Sequence, residues 1–350
     1  MIQEAIHSLL DHRDLTKGQI SDLLGEIQSG DASAAQAGAL LVALRNKGET
    51  AGEIAAFAST LREQSISITP RVKQRVIDTC GTGGDSVKTF NVSTISSFVA
   101  AGGGAFVAKH GGRSVTSKCG SADLLERLGF RLNMEPLRVQ ESIETIGIGF
   151  MFAPSFHPVM RQVAPIRKEL GIRTIFNLMG PLINPARVNA QLLGVYSREL
   201  VPLTAEVLSR LGADEAIVVH ALEGMDEISI TGKTLVSWLR EGKVTTKEYR
   251  PRDFGVIEGA RPEDMSDGRD PVRSTLDILN AGHIRGGNRQ MVLANAGAAL
   301  VVAGRANTLL EGVELAKESM QSGAAYKKLE ELVKFSGGEL ARFEEYAKSH

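Results

Sequence analysis

Four stretches of the chain hold residue types able to bind charge. The first is Asp78-Thr79-Cys80-Gly81-Thr82-Gly83-Gly84-Asp85, followed by Thr89-Phe90-Asn91-Val92-Ser93-Thr94. Three glycines within four residues let backbone N–H groups converge on anionic oxygens. Asn91, Ser93 and Thr94 then open a helical stretch, whose free N–H groups and dipole also favour phosphate. The glycine spacing matches neither a dinucleotide fingerprint nor a P-loop. Taken alone, it is also compatible with a plain turn.

The second stretch runs from Lys109 to Asp123, with His110, Gly111, Gly112, Arg113, Ser114, Val115, Thr116, Ser117 and Ser121. From Lys109 to Ser121 it offers three cations, four hydroxyls and three glycines, a composition suited to a diphosphate. By itself it is equally a solvated basic loop. The third stretch, Gly224-Met225-Asp226-Glu227, presents adjacent carboxylates. Such a pair suits Mg²⁺, whose shell is completed by substrate phosphates and water, and it also occurs on ordinary acidic surfaces. The fourth, Ile166-Arg167 through Arg173 to Gly180-Pro181-Leu182-Ile183-Asn184-Pro185, holds arginines that could clamp a carboxylate with two hydrogen bonds.

These loops need elements to position them. Residues 1–65 read as helices, started by the capping boxes Thr16/Gln19, Ser33/Gln36 and Thr50/Glu53. Gly30 and Gly48 are placed to stop the first two of these. Beyond residue 75, strands at 76–79, 105–108 and 216–219 alternate with helices at 93–101 and 121–128. That alternation predicts an α/β fold with a mainly parallel central sheet flanked by helices. The unusual loops follow strand C-termini, where such sheets bind ligands. Five prolines interrupt the pattern at 151–190, read as an excursion toward the helical unit. The expected division is a small all-helical domain at 1–70, with a contribution from about 160–190, and an α/β domain at 71–350.

With 350 residues, 43% hydrophobic and 23% charged, the chain has the composition of a globular protein. A net charge of -1 argues against nucleic acid as a partner. Cys80 and Cys119 are too few for a disulfide framework, and the N-terminus lacks a signal-peptide pattern. No apolar run reaches membrane-spanning length, so no membrane partner and a cytoplasmic location are expected.

Taken together, DTCGTGGD with TFNVST, KHG-R-V-SK-GSAD, RKELGIRTIFNLMGPLINPA and GMDEISITG resemble the anthranilate phosphoribosyltransferases, members of the nucleoside-phosphorylase-like phosphoribosyltransferases. The likeness runs in order along nearly the whole chain. It implies transfer of the phosphoribosyl group of 5-phosphoribosyl 1-pyrophosphate to anthranilate, in tryptophan biosynthesis. By that resemblance Gly81, Gly84, Asp85, Thr89, Asn91, Val92, Ser93, Thr94, the stretch Lys109 to Ser117, and Ser121 bind the phosphoribosyl donor. Lys109 supplies electrostatic help, and no catalytic residue is assigned beyond it. Asp226, Glu227 and Ser93 hold two Mg²⁺ ions. Arg167, His110, His157, Pro181, Gly81 and Gly112 face anthranilate. A homodimer joined through the helical domain is also implied. The family pattern places an anthranilate-contacting Asn where this chain has Gly112, and commonly Ser where it has Cys119.

The chemistry implied needs little acid–base machinery. Pyrophosphate leaves the anomeric carbon as the ribose gains positive charge, and the acceptor is a neutral, nucleophilic aromatic amine. Neutralising the leaving group and positioning the acceptor are the main tasks. A pyrimidine-nucleoside phosphorylase-like enzyme would share the architecture without needing the acidic pair. A non-catalytic nucleic-acid-binding relative would show a basic face and eroded loops.

Overall fold

The chain begins with four helices that share one apolar interior: α1 (Ile2–Leu10), α2 (Lys17–Ser29), α3 (Ala34–Lys47) and α4 (Ala51–Glu63). The computed structural model describes residues 1–83, 90–114, 119–257, 270–280 and 286–348. All three capping boxes form. In the best buried, Glu53 accepts the Thr50 N–H at 3.0 Å while Thr50 Oγ1 accepts the Glu53 N–H at 3.3 Å. Gly30 closes α2 in the left-handed conformation, φ 83°. On α2, Ile20, Leu23, Leu24 and Ile27 form one buried stripe. Each such side chain contributes roughly 1.5–3 kcal/mol on burial.

The α/β part follows in chain order: β1 (Val76–Gly81), α5 (Val92–Gly102), β2 (Phe106–Gly111), α6 (Ser121–Arg127), α7 (Pro136–Ile146) and β3 (Ile148–Phe152). Next come α8 (Ala153–Phe156), α9 (Met160–Leu170), α10 (Phe176–Leu182), β4 (Ala190–Gly194), α11 (Leu200–Arg210) and β5 (Glu215–Ala221). The hairpin β6 (Thr234–Arg240) and β7 (Lys243–Tyr249) precedes α12 (Pro271–Leu279), α13 (Gly287–Val302), α14 (Leu309–Gln321), α15 (Ala324–Phe335) and α16 (Leu340–Lys348).

The sheet has seven strands in the order β3-β2-β1-β4-β5-β6-β7. Its first five are mutually parallel, and β6 and β7 are antiparallel. From β1 the chain builds outward to β2 and β3, then returns to β4 on the other side. The order therefore reverses between β1 and β4, where ligands bind in such sheets.

Alternating strand residues feed two cores. Ile217 and Val219 of β5 face the interior shared with α5, α13 and α15, while Ala216 and Val218 face α11 and the helical unit. The second core also takes in Val159, Val163, Ile175, Phe176, Leu178 and Met179 from the proline-rich segment. That segment thus packs with the N-terminal helices. Among the described residues no helix is long and apolar enough to cross a membrane.

β3, β4, β6 and β7 were not anticipated. β4 is buried at all five positions, so it shows no period-two signal. Arg187 adopts φ 47° in the turn before β4, an unusual conformation for a non-glycine residue.

Candidate active site

β1 ends at Gly81, and the chain crosses to β4, where the Thr82 N–H donates to the Gly194 carbonyl at 2.9 Å. The next N–H, from Gly83, donates to Asp226 Oδ2 at 2.9 Å. Asp226 reaches this point through a turn after β5, in which Gly224 takes φ 101°. The approach is close. A Cβ at Gly81 would overlap Asp226 Oδ2, and one at Gly194 would overlap the Asp226 carbonyl oxygen. The acidic pair is thereby set against the reversal point between β1 and β4.

Asp226 and Glu227 are both buried. Burial raises the Asp226 pKa, opposed by the Gly83 N–H, its own backbone and His220. Among the described residues no cation forms an ion pair with Asp226. Ser93 lies in the first turn of α5, and its carbonyl accepts the Thr79 hydroxyl at 2.9 Å. No side chain caps α5. The Asn91 amide instead donates to the Cys119 carbonyl at 3.0 Å, joining the first loop to the second. Val92 and Thr94 are buried in the same turn.

The second loop begins with a buried network that sequence reading did not single out. Asp78 is fully buried on β1; it accepts from the Asn184 amide at 2.7 Å and from the His110 N–H at 3.3 Å. Burial raises its pKa, and Lys109 is the main opposing influence. Lys109 is itself buried and donates to the Thr79 carbonyl at 2.6 Å. A polar residue followed by the glycine loop was visible at Asp78, but only the fold brings Asn184 to it.

His110 Nδ1 lies 3.0 Å from the Gly180 carbonyl of α10. Its ring stands edge-on to that of His157, with centroids 5.0 Å apart. Both rings are buried, at 6% and 1% exposure. Among the described residues, no group meets His110 Nε2 or either ring nitrogen of His157 with hydrogen-bond geometry. Burial, then His157, pulls His110 down to about 3. Burial pulls His157 down to about 4, opposed by the Ile183 backbone. Both rings are neutral at pH 7. Buried polar atoms without partners are rare, and they mark a place where a polar ligand would be satisfied.

Beyond Gly111, the loop turns onto α6. Arg113 reaches Glu126 with two contacts at 2.7 and 2.8 Å and Asp123 at 3.0 Å. Its charge is therefore taken up by α6. Asp123 also accepts the Ser114 and Gly120 N–H groups, each at 2.9 Å. Ser121 Oγ donates to the Gly112 carbonyl at 3.4 Å and fills the space a Cβ at Gly111 would need. Among the described residues, an added Cβ at Gly112 would meet only Ala153, at 4.0 Å.

Arg167 sits half-buried on α9, its guanidinium 6.0 Å from the Phe176 ring centroid. Burial lowers its pKa and nothing else acts on it; no carboxylate among the described residues engages it. Arg173, by contrast, stacks 4.2 Å from the Tyr196 ring centroid. Pro181 is buried at the end of α10, and its carbonyl accepts from the Gln191 amide at 2.8 Å. Gly84, Asp85, Thr89, Val115, Thr116 and Ser117 lie outside the described residues. Among the described residues, no three His, Cys, Asp or Glu side chains gather as a metal set.

The chain is similar to known proteins over nearly its whole length. Residues 3–65 match the helical bundle domain of the Glycosyl transferase family, and residues 73–326 match its a/b domain. The anthranilate phosphoribosyltransferase of Thiobacillus denitrificans is 47% identical, over 95% of this chain and 97% of that protein. The crystal structure of the Thermus thermophilus anthranilate phosphoribosyltransferase matches with a TM-score of 0.88 at 41% identity, covering 95% of this chain and 99% of that one. A Saccharomyces cerevisiae anthranilate phosphoribosyltransferase in complex with PRPP and Mg matches with a TM-score of 0.84 at 29% identity, covering 96% and 98%.

Proposed function

The chain belongs to the anthranilate phosphoribosyltransferase family, and from that premise we propose how its own residues transfer the phosphoribosyl group of 5-phosphoribosyl 1-pyrophosphate to anthranilate. The observation that carries this reading is the convergence at β1 and β4 of the glycine loop, the uncapped start of α5 and the buried Asp226 carboxylate.

The donor diphosphate would lie over Gly81 and Gly83 and against the first turn of α5, with the N–H groups of Asn91, Ser93 and Thr94 available to its oxygens, while that of Val92 donates to the Phe90 carbonyl at 2.7 Å. Gly84, Asp85 and Thr89 would complete this cradle from the first loop. Gly111, Gly112, Ser114 to Ser117 and Ser121 would complete it from the second. Lys109 places a buried positive charge beneath the site. Arg113, held by α6, shapes the loop without extending its charge toward the donor.

Asp226, Glu227 and the Ser93 hydroxyl would hold Mg²⁺, in line with the yeast relative in complex with PRPP and Mg. The donor set fits: all oxygen, with a buried carboxylate that forms no ion pair among the described residues. Two protein carboxylates leave most of the coordination shell to diphosphate and water, consistent with two ions. When bound, the metal neutralises charge developing on the leaving diphosphate.

On the acceptor side, Arg167 has a free guanidinium for the anthranilate carboxylate. His110, His157, Pro181 and Gly112 would line the ring, and the unsatisfied imidazole nitrogens would meet the acceptor's polar edge or water. No group need take a proton before attack, since the aromatic amine is already neutral.

We assign residues 1–70 and about 160–190 to a helical domain and the remainder to the α/β domain, on the shared core described above. The exposed Met1, Leu10 and Val42 on the helical unit support homodimer association there. The family relationship disfavours the nucleoside-phosphorylase and nucleic-acid-binding alternatives.

The test is loss of anthranilate fluorescence in the presence of the donor and Mg²⁺. A signal needing all three components and stopped by a chelator supports the reading. No donor binding by calorimetry would sink it.

A further inference from the structure

The N-terminal end of the strands holds positive charge, part of which nothing among the described residues neutralises. Between α4, the start of β4 and the turn after α11 lies a cavity of about 450 Å³. Lys17, Arg62, Arg187 and Arg210 line it, with Glu63 as its one carboxylate. Val188 and Asn189, also in the lining, precede β4, and Leu211 and Gly212 follow α11. All lie at the N-terminal ends of the strands. The proposed transferase site lies at the C-terminal ends, so the two are separate.

The charges at the rim are matched. Lys17 lies 3.4 Å from Glu63, and Arg210 lies 2.8 Å from Glu206. Arg62 and Arg187 are not: among the described residues neither forms an ion pair. Arg62 is buried, at 9% exposure. Its Nε donates to the Leu182 carbonyl at 2.6 Å, leaving the two terminal nitrogens of the guanidinium for an occupant. Burial first, and Arg187 second, pull Arg62 down to about 10, so it stays charged at pH 7 beside a like charge. Lys73, in an adjoining cavity also lined by Arg187, adds to the positive field. A buried guanidinium facing a second one, with no ion-pair partner among the described residues, is costly and calls for an anion.

Arg187 is held in place at a cost. Its φ of 47° is left-handed, a conformation that glycine would take without strain. The turn places an exposed guanidinium over the cavity where a glycine would suit the backbone better.

We propose that this cavity is an oxyanion site for a phosphate group, held between Arg62 and Arg187. Two unmatched guanidinium groups suit a dianion, and the planar fork suits tetrahedral phosphate oxygens. A single carboxylate would neutralise only half of the pair. Apolar walls at Ala55, Ala56 and Val188 leave room for a small carbon skeleton on the phosphate. Arg62 also bonds the last carbonyl of α10, the helix whose Gly180 carbonyl meets His110, so the occupant would share a residue with that segment. The proposal does not depend on the transferase reading.

Calorimetry of the full chain with inorganic phosphate, sn-glycerol 3-phosphate and malonate tests it. The wild-type chain should show a phosphate class that Arg187→Gly weakens at least tenfold, since glycine keeps the turn and removes the charge. The variant should retain any other phosphate class and its turnover in phosphate-free buffer. Arg62→Lys, which keeps the charge but loses the fork, should weaken the same class by a smaller factor. Tighter binding of glycerol phosphate than of phosphate would assign an organic monoester as the source; equal binding would assign free phosphate. Identical phosphate isotherms in wild type and Arg187→Gly would overturn the site. Malonate binding tighter than phosphate would overturn its phosphate class.

Discussion

Asp226 accepts the Gly83 N–H at 2.9 Å across 143 residues of sequence, which makes the glycine loop and the acidic pair one structural unit. Two glycines make the approach possible, but they guard different atoms. Gly81 faces the Asp226 side chain, and Gly194 faces its backbone. Gly81→Ala should therefore fold and raise the Michaelis constant for the phosphoribosyl donor, because a carboxylate can rotate away. Gly194→Ala should destabilise the chain by about 1–3 kcal/mol or more, because a backbone oxygen cannot. Denaturant midpoints and steady-state kinetics on both variants check the split. Similar behaviour of the two would refute it.

The unneutralised Asp226 carboxylate leads to a metal-linked prediction. Asp226→Asn keeps an acceptor for Gly83 and removes a buried charge. Without Mg²⁺ its thermal midpoint should rise above that of wild type. The wild-type midpoint should climb with Mg²⁺ and donor, while that of the variant stays flat and turnover falls roughly 100-fold. A variant that still responds to Mg²⁺ would move the metal elsewhere.

Arg167 is a cation on a helix with no carboxylate partner among the described residues. Its loss should be felt by the acceptor alone. Arg167→Ala should raise the anthranilate Michaelis constant about 10- to 100-fold, the range of a hydrogen-bonded charge contact worth about 1.5–3 kcal/mol. The donor constant should change by less than about twofold on the same reasoning, because additivity holds for sites without shared partners. Equal shifts in both constants would remove Arg167 from the acceptor site.

Gly112 has room for a side chain and no positive φ to forbid one. Gly112→Asn should leave stability unchanged and lower the anthranilate Michaelis constant by restoring a side-chain donor beside the acceptor ring. Unchanged kinetics would show that the loop backbone or water already supplies that contact.

The histidine pair sets an acid limit on stability. Both folded pKa values lie below the ordinary 6.5, at about 3 for His110 and about 4 for His157. As pH falls below 6.5, the unfolded chain takes up protons that the folded chain refuses. Stability is thus retained above that value and lost between it and pH 4 to 3. Each histidine contributes a slope of up to about 1.4 kcal/mol per pH unit in that window. Urea unfolding of wild type and His157→Leu between pH 4 and 7 should show a shallower decline in the variant. Parallel curves would mean that His157 is solvated in solution.

Much of the fold was legible in local sequence. Capping boxes at Thr16, Ser33 and Thr50 name their own helices, because both partners of each box lie within four residues. The strands at β1, β2 and β5 were visible because short apolar runs precede loops of glycine or acid. β4 and β3 were not, since strands buried at five and at four of five positions have no period to read and look like any apolar stretch. The acidic pair, the glycine loop and Arg167 could be named as chemistry-bearing residues, because side-chain type sets what a group can bind.

Their arrangement could not be read locally. The chain alone does not say that β4 returns beside β1, yet that return places Gly194 against Asp226. Nor does it say that Arg113, cationic like Lys109, spends its charge on α6, or that Asn184 holds Asp78 beneath the site. Residue identity is local chemistry, and hydrogen-bond partners are chosen by whichever groups the fold brings within 3 Å or so. The sequence determined which groups could bind phosphate, metal and carboxylate. Only the tertiary structure decided which meet, which are already satisfied, and which, like Arg62 and Arg187, form no ion pair among the described residues.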